Sequence, residues 1–181
     1  MAARVVKVNI EEIAGQLDLG EGQVYPLEKW NPPFSGDIDI VVTKEGRWIH
    51  EGGEIRRKSL VRLFASLIKQ EGMDYYLITP VEKWRIRVED MPLHVISLFG
   101  DSDTGIRMAL SNGQSQLVDE HCGLKLSDLD GVLVPTVVAA QGLEARFLRS
   151  AYYELVDLSE MTDTQCVVRS GNAKFVLDFS L

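Results

Sequence analysis

The sequence predicts an α+β fold made of two β-rich halves packed together, and three observations carry that prediction. Apolar residues alternate with polar ones at 84–88 and, apart from Val41, at 38–42, the signature of half-buried strands, and 175–179 is a further strand candidate. Two other stretches, around Leu60–Ile68 and Leu143–Val156, shift to a period of about 3.6 residues, the period of a helix. The order strands, helix, strand, turn, strand then occurs twice, so the expected architecture is a duplicated strand-helix-strand motif. One such unit is too small to bury its own apolar face, whereas two can cover each other.

Taken in order, residues 1–35 read as a short helix and a loop. Asn9 followed by Glu12 makes a capping pattern, and Ile10, Ile13 and Leu17 fall on one helical stripe. Pro26, Pro32 and Pro33 mark the loop, in which Trp30 and Phe34 are expected to act as core anchors. Residues 36–92 form the first half. Ile38, Ile40 and Val42 pair with Trp48 and Ile49 across the Glu45-Gly46 turn, and a helix over Leu60–Ile68 is expected to end at Gly72. Trp84, Ile86 and Val88 then form a strand with Lys83, Arg85 and Arg87 on its other face.

Residues 93–181 form the second half. Strands are expected at 95–99, 107–110, 116–118 and 132–138. A helix is expected to carry Leu143, Phe147, Ala151, Leu155 and Val156, followed by strands at 166–168 and 175–179. The duplication aligns Leu60, Leu67 and Ile68 with Leu148, Leu155 and Val156, 88 positions on. It aligns Trp84, Ile86 and Val88 with Phe175, Leu177 and Phe179, 91 positions on.

Composition narrows the function classes. With 181 residues, 45% hydrophobic, the chain is globular rather than disordered. Its 19 basic and 27 acidic side chains give a net charge of -8, which argues against general nucleic-acid binding. Two cysteines cannot build a disulfide framework; reduced core thiols are favoured over a single Cys122–Cys166 bridge. No secretory leader or membrane-spanning run is evident, so a cytoplasmic protein without membrane contact is expected.

Catalytic patterns are sparse. No phosphate-binding glycine loop, paired-histidine zinc motif or nucleophile elbow is present, and no cofactor is implied. The three histidines and two cysteines are too scattered for zinc, and His50 and His94 read as structural residues. The 101–105 loop begins like a calcium loop but has Asn112 where the bidentate Glu should stand. Asp37 and Asp39 share a strand face, a weak basis for acid–base work.

The basic residues are more informative. Eight of the 19 positive charges, Arg56, Arg57, Lys58, Arg62, Lys69, Lys83, Arg85 and Arg87, fall in one short stretch. Arg146, Arg149 and Tyr153 are spaced to share one face of the second helix. Two arginine-bearing helices in related halves would frame a cleft for phosphate or carboxylate, which the guanidinium fork binds bidentately. The competing reading is internal pairing with acidic neighbours such as Glu54, Glu82, Glu144 and Glu154.

Seven ordered segments carry a family likeness. They are Trp30-Asn31-Pro32, Gly36-Asp37-Ile38-Asp39, Ile55-x-Arg57-x-x-Leu60-Val61-Arg62-Leu63-Phe64, Tyr76-Leu77-Ile78-Thr79-Pro80-Val81-Glu82, Val88-Glu89-Asp90-x-Pro92, Gly142-Leu143-Glu144-Ala145 and Tyr152-Tyr153-Glu154-Leu155. From about Trp30 to Phe179 the chain resembles the bacterial "domain of unknown function 1285" family. The resemblance implies an α+β core built by duplication, with a second half loosely like pleckstrin-homology domains. It also implies binding of a nucleotide-like ligand at the junction of the halves, in signal transduction. Carried over residue by residue, the ligand-binding set is Arg57, Arg62, Thr79, Glu82, Arg149 and Tyr153. The sequence departs from the family pattern at 137–141, which lack its arginine, and around Val168-Arg169, where its tryptophan is missing.

The leading expectation is therefore a non-catalytic ligand-binding or sensory protein whose partner is an anionic small molecule. A protein-interaction module using the Lys83-Arg85-Arg87 face is the second reading. A hydrolase or transferase using Asp37, Asp39 or Glu82 is the third.

Overall fold

The computed structural model describes residues 9–17, 23–139 and 141–179. The chain divides into two compact units, Met1–Pro92 and Leu93–Leu181. The architecture is mostly β with few helices, each unit holding one six-stranded sheet.

In the first unit α1 (Ile10–Gly15) starts where its cap requires. The Asn9 side chain accepts from the Glu11 N–H at 3.1 Å and donates to the Glu12 carboxylate at 3.2 Å, while Ile13 and Ala14 are buried. The following segment is anchored by buried Tyr25 and Leu27, with the Trp30 ring 5.9 Å from Tyr25. Phe34 is not an anchor: it is 57% exposed, because it opens a strand on its outward-facing side.

That strand, β1 (Phe34–Val42), is followed by β2 (Trp48–His50), β3 (Gly53–Glu54), α2 (Lys58–Ser66), β4 (Ile68–Glu71), β5 (Asp74–Ile78) and β6 (Lys83–Val88). The sheet order is β3-β2-β1-β6-β5-β4, with β1 and β6 parallel and the other pairs antiparallel. Leu60, Leu63 and Phe64 of α2 are buried, and the Trp48 and Phe64 rings lie 6.1 Å apart. The helix stops at Leu67 and the chain extends at once into β4. Gly72, with φ of 63°, therefore turns β4 into β5 and does not end the helix. Leu67 and Ile68 remain buried past the helix end, so apolar spacing alone could not mark where helix becomes strand.

The second unit runs β7 (Leu93–Asp101), β8 (Gly105–Leu110), β9 (Ser115–Leu117), β10 (Lys125–Leu129), β11 (Val132–Val138), β12 (Glu144–Phe147), α3 (Arg149–Asp157), β13 (Ser159–Met161), β14 (Gln165–Ser170) and β15 (Ala173–Asp178). Its sheets are ordered β10-β11-β12-β7-β8-β9 and β13-β14-β15, with β7 and β12 parallel. The expected helix from Leu143 is thus shorter. Ala145 and Phe147 are buried while Glu144 and Arg146 are not, a period of two that places this segment in the sheet.

The repeated element is a helix followed by a three-stranded antiparallel meander. Lys58 and Arg149 begin the two nine-residue helices, and Ile68 and Ser159 begin the strands that follow, each 91 positions apart. The 88-position alignment of the helices is therefore corrected to 91. At that spacing Leu60 and Ala151, Phe64 and Leu155, and Leu77 and Val168 are buried pairs, and Thr79 and Ser170 are buried hydroxyls.

Gly100 has φ of 94°, and a Cβ there would collide with the Gly105 carbonyl oxygen; Gly131 has φ of 79° with open space around it. Gly131→Ala is expected to cost about 1–2 kcal/mol for its left-handed backbone. Gly100→Ala should cost roughly 2–5 kcal/mol, because overpacking adds to the same strain. Denaturant melts of the two variants, compared with the parent, check that order.

Cys122 and Cys166 are free and fully buried, and burial pushes the Cys122 thiol above its ordinary value. The raised folded value favours the protonated thiol. Its contribution to stability is present below the ordinary thiol range and is lost as pH rises through the raised value. A disulfide-exchange dye at pH 8 should label neither cysteine in the folded protein and both after unfolding. Stability should decline above pH 9, and Cys122→Ser should blunt that decline.

Candidate functional site

In the first unit, two of the resemblance-derived residues reach the same short helix. Arg57 stands just before α2, and its guanidinium pairs with the Glu11 carboxylate of α1 at 2.9 Å. Glu82 accepts a hydrogen bond from the Gln16 amide, just past α1, at 2.8 Å. Both partners of the Arg57 pair are half-exposed, so it contributes at most about 1 kcal/mol. Thr79 is buried, and its hydroxyl oxygen accepts from the Val81 and Glu82 N–H groups at 3.3 and 3.0 Å, closing the turn around Pro80. Arg62 lies on the exposed side of α2.

In the second unit Arg149 and Tyr153 meet. They are four residues apart on α3, so they share a face. The Arg149 Nε and Nη2 donate to the Tyr153 hydroxyl at 3.3 and 3.2 Å, and the guanidinium lies 5.7 Å from the ring centroid. Tyr153 is 52% exposed, with the Tyr152 ring 5.7 Å away. None of the described carboxylates forms an ion pair with Arg149.

Arg146 does not join them, because it belongs to β12. There it sits in register with His94 of β7 and Thr136 of β11, both buried. The Thr136 hydroxyl bonds that of Ser127 at 2.7 Å, so this face carries a polar row that sequence reasoning missed. The signal was present in the polar member of each alternating triplet, Leu93-His94-Val95 and Ala145-Arg146-Phe147.

Half of the basic stretch is matched by acids, Arg57 by Glu11 as above. Lys83 pairs with Glu71, Arg85 with Asp37 at 2.6 Å and Asp74 at 3.8 Å, and Lys69 with Glu28 at 3.2 Å. The Asp37 hydrogen bond, followed by its charge, raises the Arg85 pKa further. Lys83 also lies over the Tyr76 ring at 4.4 Å, and Arg85 over Phe34 at 5.9 Å. Asp37 is thus held as a counter-ion.

The calcium-like loop is closed on itself. The Asp101 carboxylate accepts from the Thr104 N–H at 2.7 Å, the Thr104 hydroxyl at 2.8 Å and the Asp103 N–H at 3.0 Å, bonds that hold its pKa below the usual carboxylate range. Among the described residues no group of three or more His, Cys, Asp or Glu side chains is placed to hold a metal ion. No helix among them is long and apolar enough to cross a membrane.

The second unit also contains a cavity of about 440 Å³, lined by 104–105, 119–121 and 170–173 together with Leu117. None of the six resemblance-derived residues lines it.

Comparison with known proteins bears on the family and the fold. Residues 25–91 match the model described as "Domain of unknown function (DUF1285), N-terminal domain". Residues 100–177 match "Protein of unknown function (DUF1285), C-terminal domain". A DUF1285 family protein from Silicibacter pomeroyi DSS-3 is similar in structure, with a TM-score of 0.77 and 30% identity over 96% of this chain and 95% of that one. Another, from Shewanella baltica OS155, gives a TM-score of 0.54 and 27% identity over 67% of this chain and 92% of its own. No curated protein matches the chain. With both family models matched in order along its length and a family structure alike over nearly all of it, the chain belongs to the DUF1285 family.

Proposed function

We propose that this protein binds an anionic, nucleotide-like small molecule without transforming it, and that binding serves signal transduction. The observation that supports the reading is Arg149. It is a cation without a carboxylate partner among the described residues, held by both its hydrogen bonds and its stacking against an exposed tyrosine of the same helix face. A guanidinium braced in this way offers a fork for phosphate or carboxylate, and the tyrosine offers a ring and a hydroxyl.

Arg62 extends the proposed contact set on the family resemblance. Arg57, Thr79 and Glu82 belong to the same set but have their polar atoms engaged by Glu11, the Pro80 turn and Gln16. A ligand reaching Arg57 would have to displace the Glu11 carboxylate. The reading of the second half as loosely pleckstrin-homology-like rests on the same resemblance, and a cytoplasmic location is part of the same proposal.

Thermal melts against a panel of nucleotides and cyclic dinucleotides test the proposal. At 100 times its dissociation constant a true ligand adds about 2.7 kcal/mol, which for a chain of this size raises Tm by roughly 5–10 °C. A panel that leaves Tm flat overturns the proposal.

With a ligand in hand, Arg149→Gln should weaken binding by about tenfold or more, the loss of one charge-assisted hydrogen bond of roughly 1.5–3 kcal/mol. Titration calorimetry of the variant reads that loss directly; unchanged affinity removes Arg149 from the site.

A further inference from the structure

The cavity of the second unit is independent of the residues just discussed and has a chemistry of its own. About 440 Å³ is within the range of small-molecule sites. Three turns meet around it: the β7–β8 turn at Thr104 and Gly105, the segment after β9 at 119–121, and the β14–β15 turn at 170–173.

Each wall is fixed by hydrogen bonds, two of them made by the lining residues Ser170 and Gly171. The Ser170 hydroxyl accepts from the Ile106 N–H at 2.8 Å, and the Gly171 N–H donates to the Ser102 carbonyl at 2.8 Å, joining the β14–β15 turn to the β7–β8 hairpin. Val118 donates to the Ile106 carbonyl at 2.8 Å, fixing the third wall. Gly105 fits only without a side chain: its φ is 110°, and a Cβ would stand 2.9 Å from Leu117 Cδ1. The cavity therefore exists before any ligand arrives, which lowers the ordering cost of binding.

The lining sets the ligand class. Leu117, Gly105 and Ala173 give it an apolar portion. Asp119 commits one carboxylate oxygen to the His121 N–H at 2.9 Å, and among the described residues Glu120 is engaged only with the His121 ring, at 3.7 Å. No lysine or arginine lines the space, so its two acids face no lining cation other than what His121 can carry. The Asn172 amide supplies a further acceptor and donor. We infer that this cavity is a binding site for a small organic cation, an amine carried on a short apolar chain. Glu120 and His121 are more than 80% exposed, so the site is a weak one that salt screens.

Chemical-shift mapping of the full chain with 1,4-diaminobutane tests the inference, with uncharged 1,4-butanediol as the control. Shifts confined to residues lining the cavity are expected for the diamine and not for the diol. Asp119→Asn retains the acceptor for His121, and Glu120→Gln alters a side chain engaged, among the described residues, only with His121, so both variants should fold. Each should weaken the diamine by about two- to fivefold, the range for an exposed ion pair, and added salt should weaken it further. Shifts that are absent or scattered, a diol that binds as well as the diamine, or variants that bind unchanged overturn the assignment. None of these outcomes bears on the anionic ligand, because the cavity shares no residue with Arg149 and Tyr153.

Discussion

Parallel pairing of strands distant in sequence is the constraint on which both units depend. β1 runs alongside β6, with Asp37 opposite Arg85, and β7 alongside β12, with Val95 opposite Phe147. A parallel pair cannot be closed by a hairpin, so everything between its two strands must leave the sheet edge and return. In the first unit that excursion holds β2 to β5 and the amphipathic helix α2. In the second it holds β8 to β11, which add to both flanks of the sheet. The second pairing fixes where its helix starts, because Leu148 donates to the Val95 carbonyl at 3.0 Å and launches α3 directly from β12, whereas α2 lies within the first crossover. The position of Arg149 follows from this topology.

Local patterns in the sequence carried much of this, and pairings between distant segments carried little. Trp84 and Ile86 alternate with Lys83, Arg85 and Arg87 as a two-residue period demands, and Asn9 caps α1 through atoms that its identity implies. The strands β4, β10 and β13 were missed because three to five residues give too short a pattern. β12 was misread because 143, 147, 151 and 155 are apolar at helical spacing, although the first two belong to an extended segment. Parallel partners leave no local mark at all. The same division applies to the candidate site: the four-residue spacing of Arg149 and Tyr153 was legible, whereas the partners Glu11 and Gln16 lie dozens of residues from the groups they engage.

Charge distribution matters more here than net charge. The total of -8 coexists with a cluster of cations along β4 and β6, but Glu28, Asp37, Glu71 and Asp74 answer the principal ones. Such partly exposed pairs contribute little stability, yet each weakens the field that a docking partner or polyanion would feel from its cation. What remains distinctive is a cation braced against an exposed tyrosine on α3 and, elsewhere in the same unit, a pair of acids lining a cavity without lysine or arginine. The two features favour ligands of opposite sign.

The recurring motif shows how equivalent positions came to serve different ends. Thr79 and Ser170 are both buried hydroxyls at the end of the middle strand of the meander. Thr79 turns its oxygen to the N–H groups of its own turn, so the β5–β6 connection closes on itself around Pro80. Ser170 turns its oxygen instead to Ile106, on a strand of the other sheet in its unit. That single change in partner ties the β14–β15 turn to the β7–β8 hairpin and leaves Asn172 and Ala173 facing a space between them. A hydroxyl that closes a turn in one unit holds a cavity open in the other, so a repeated fold need not repeat its sites.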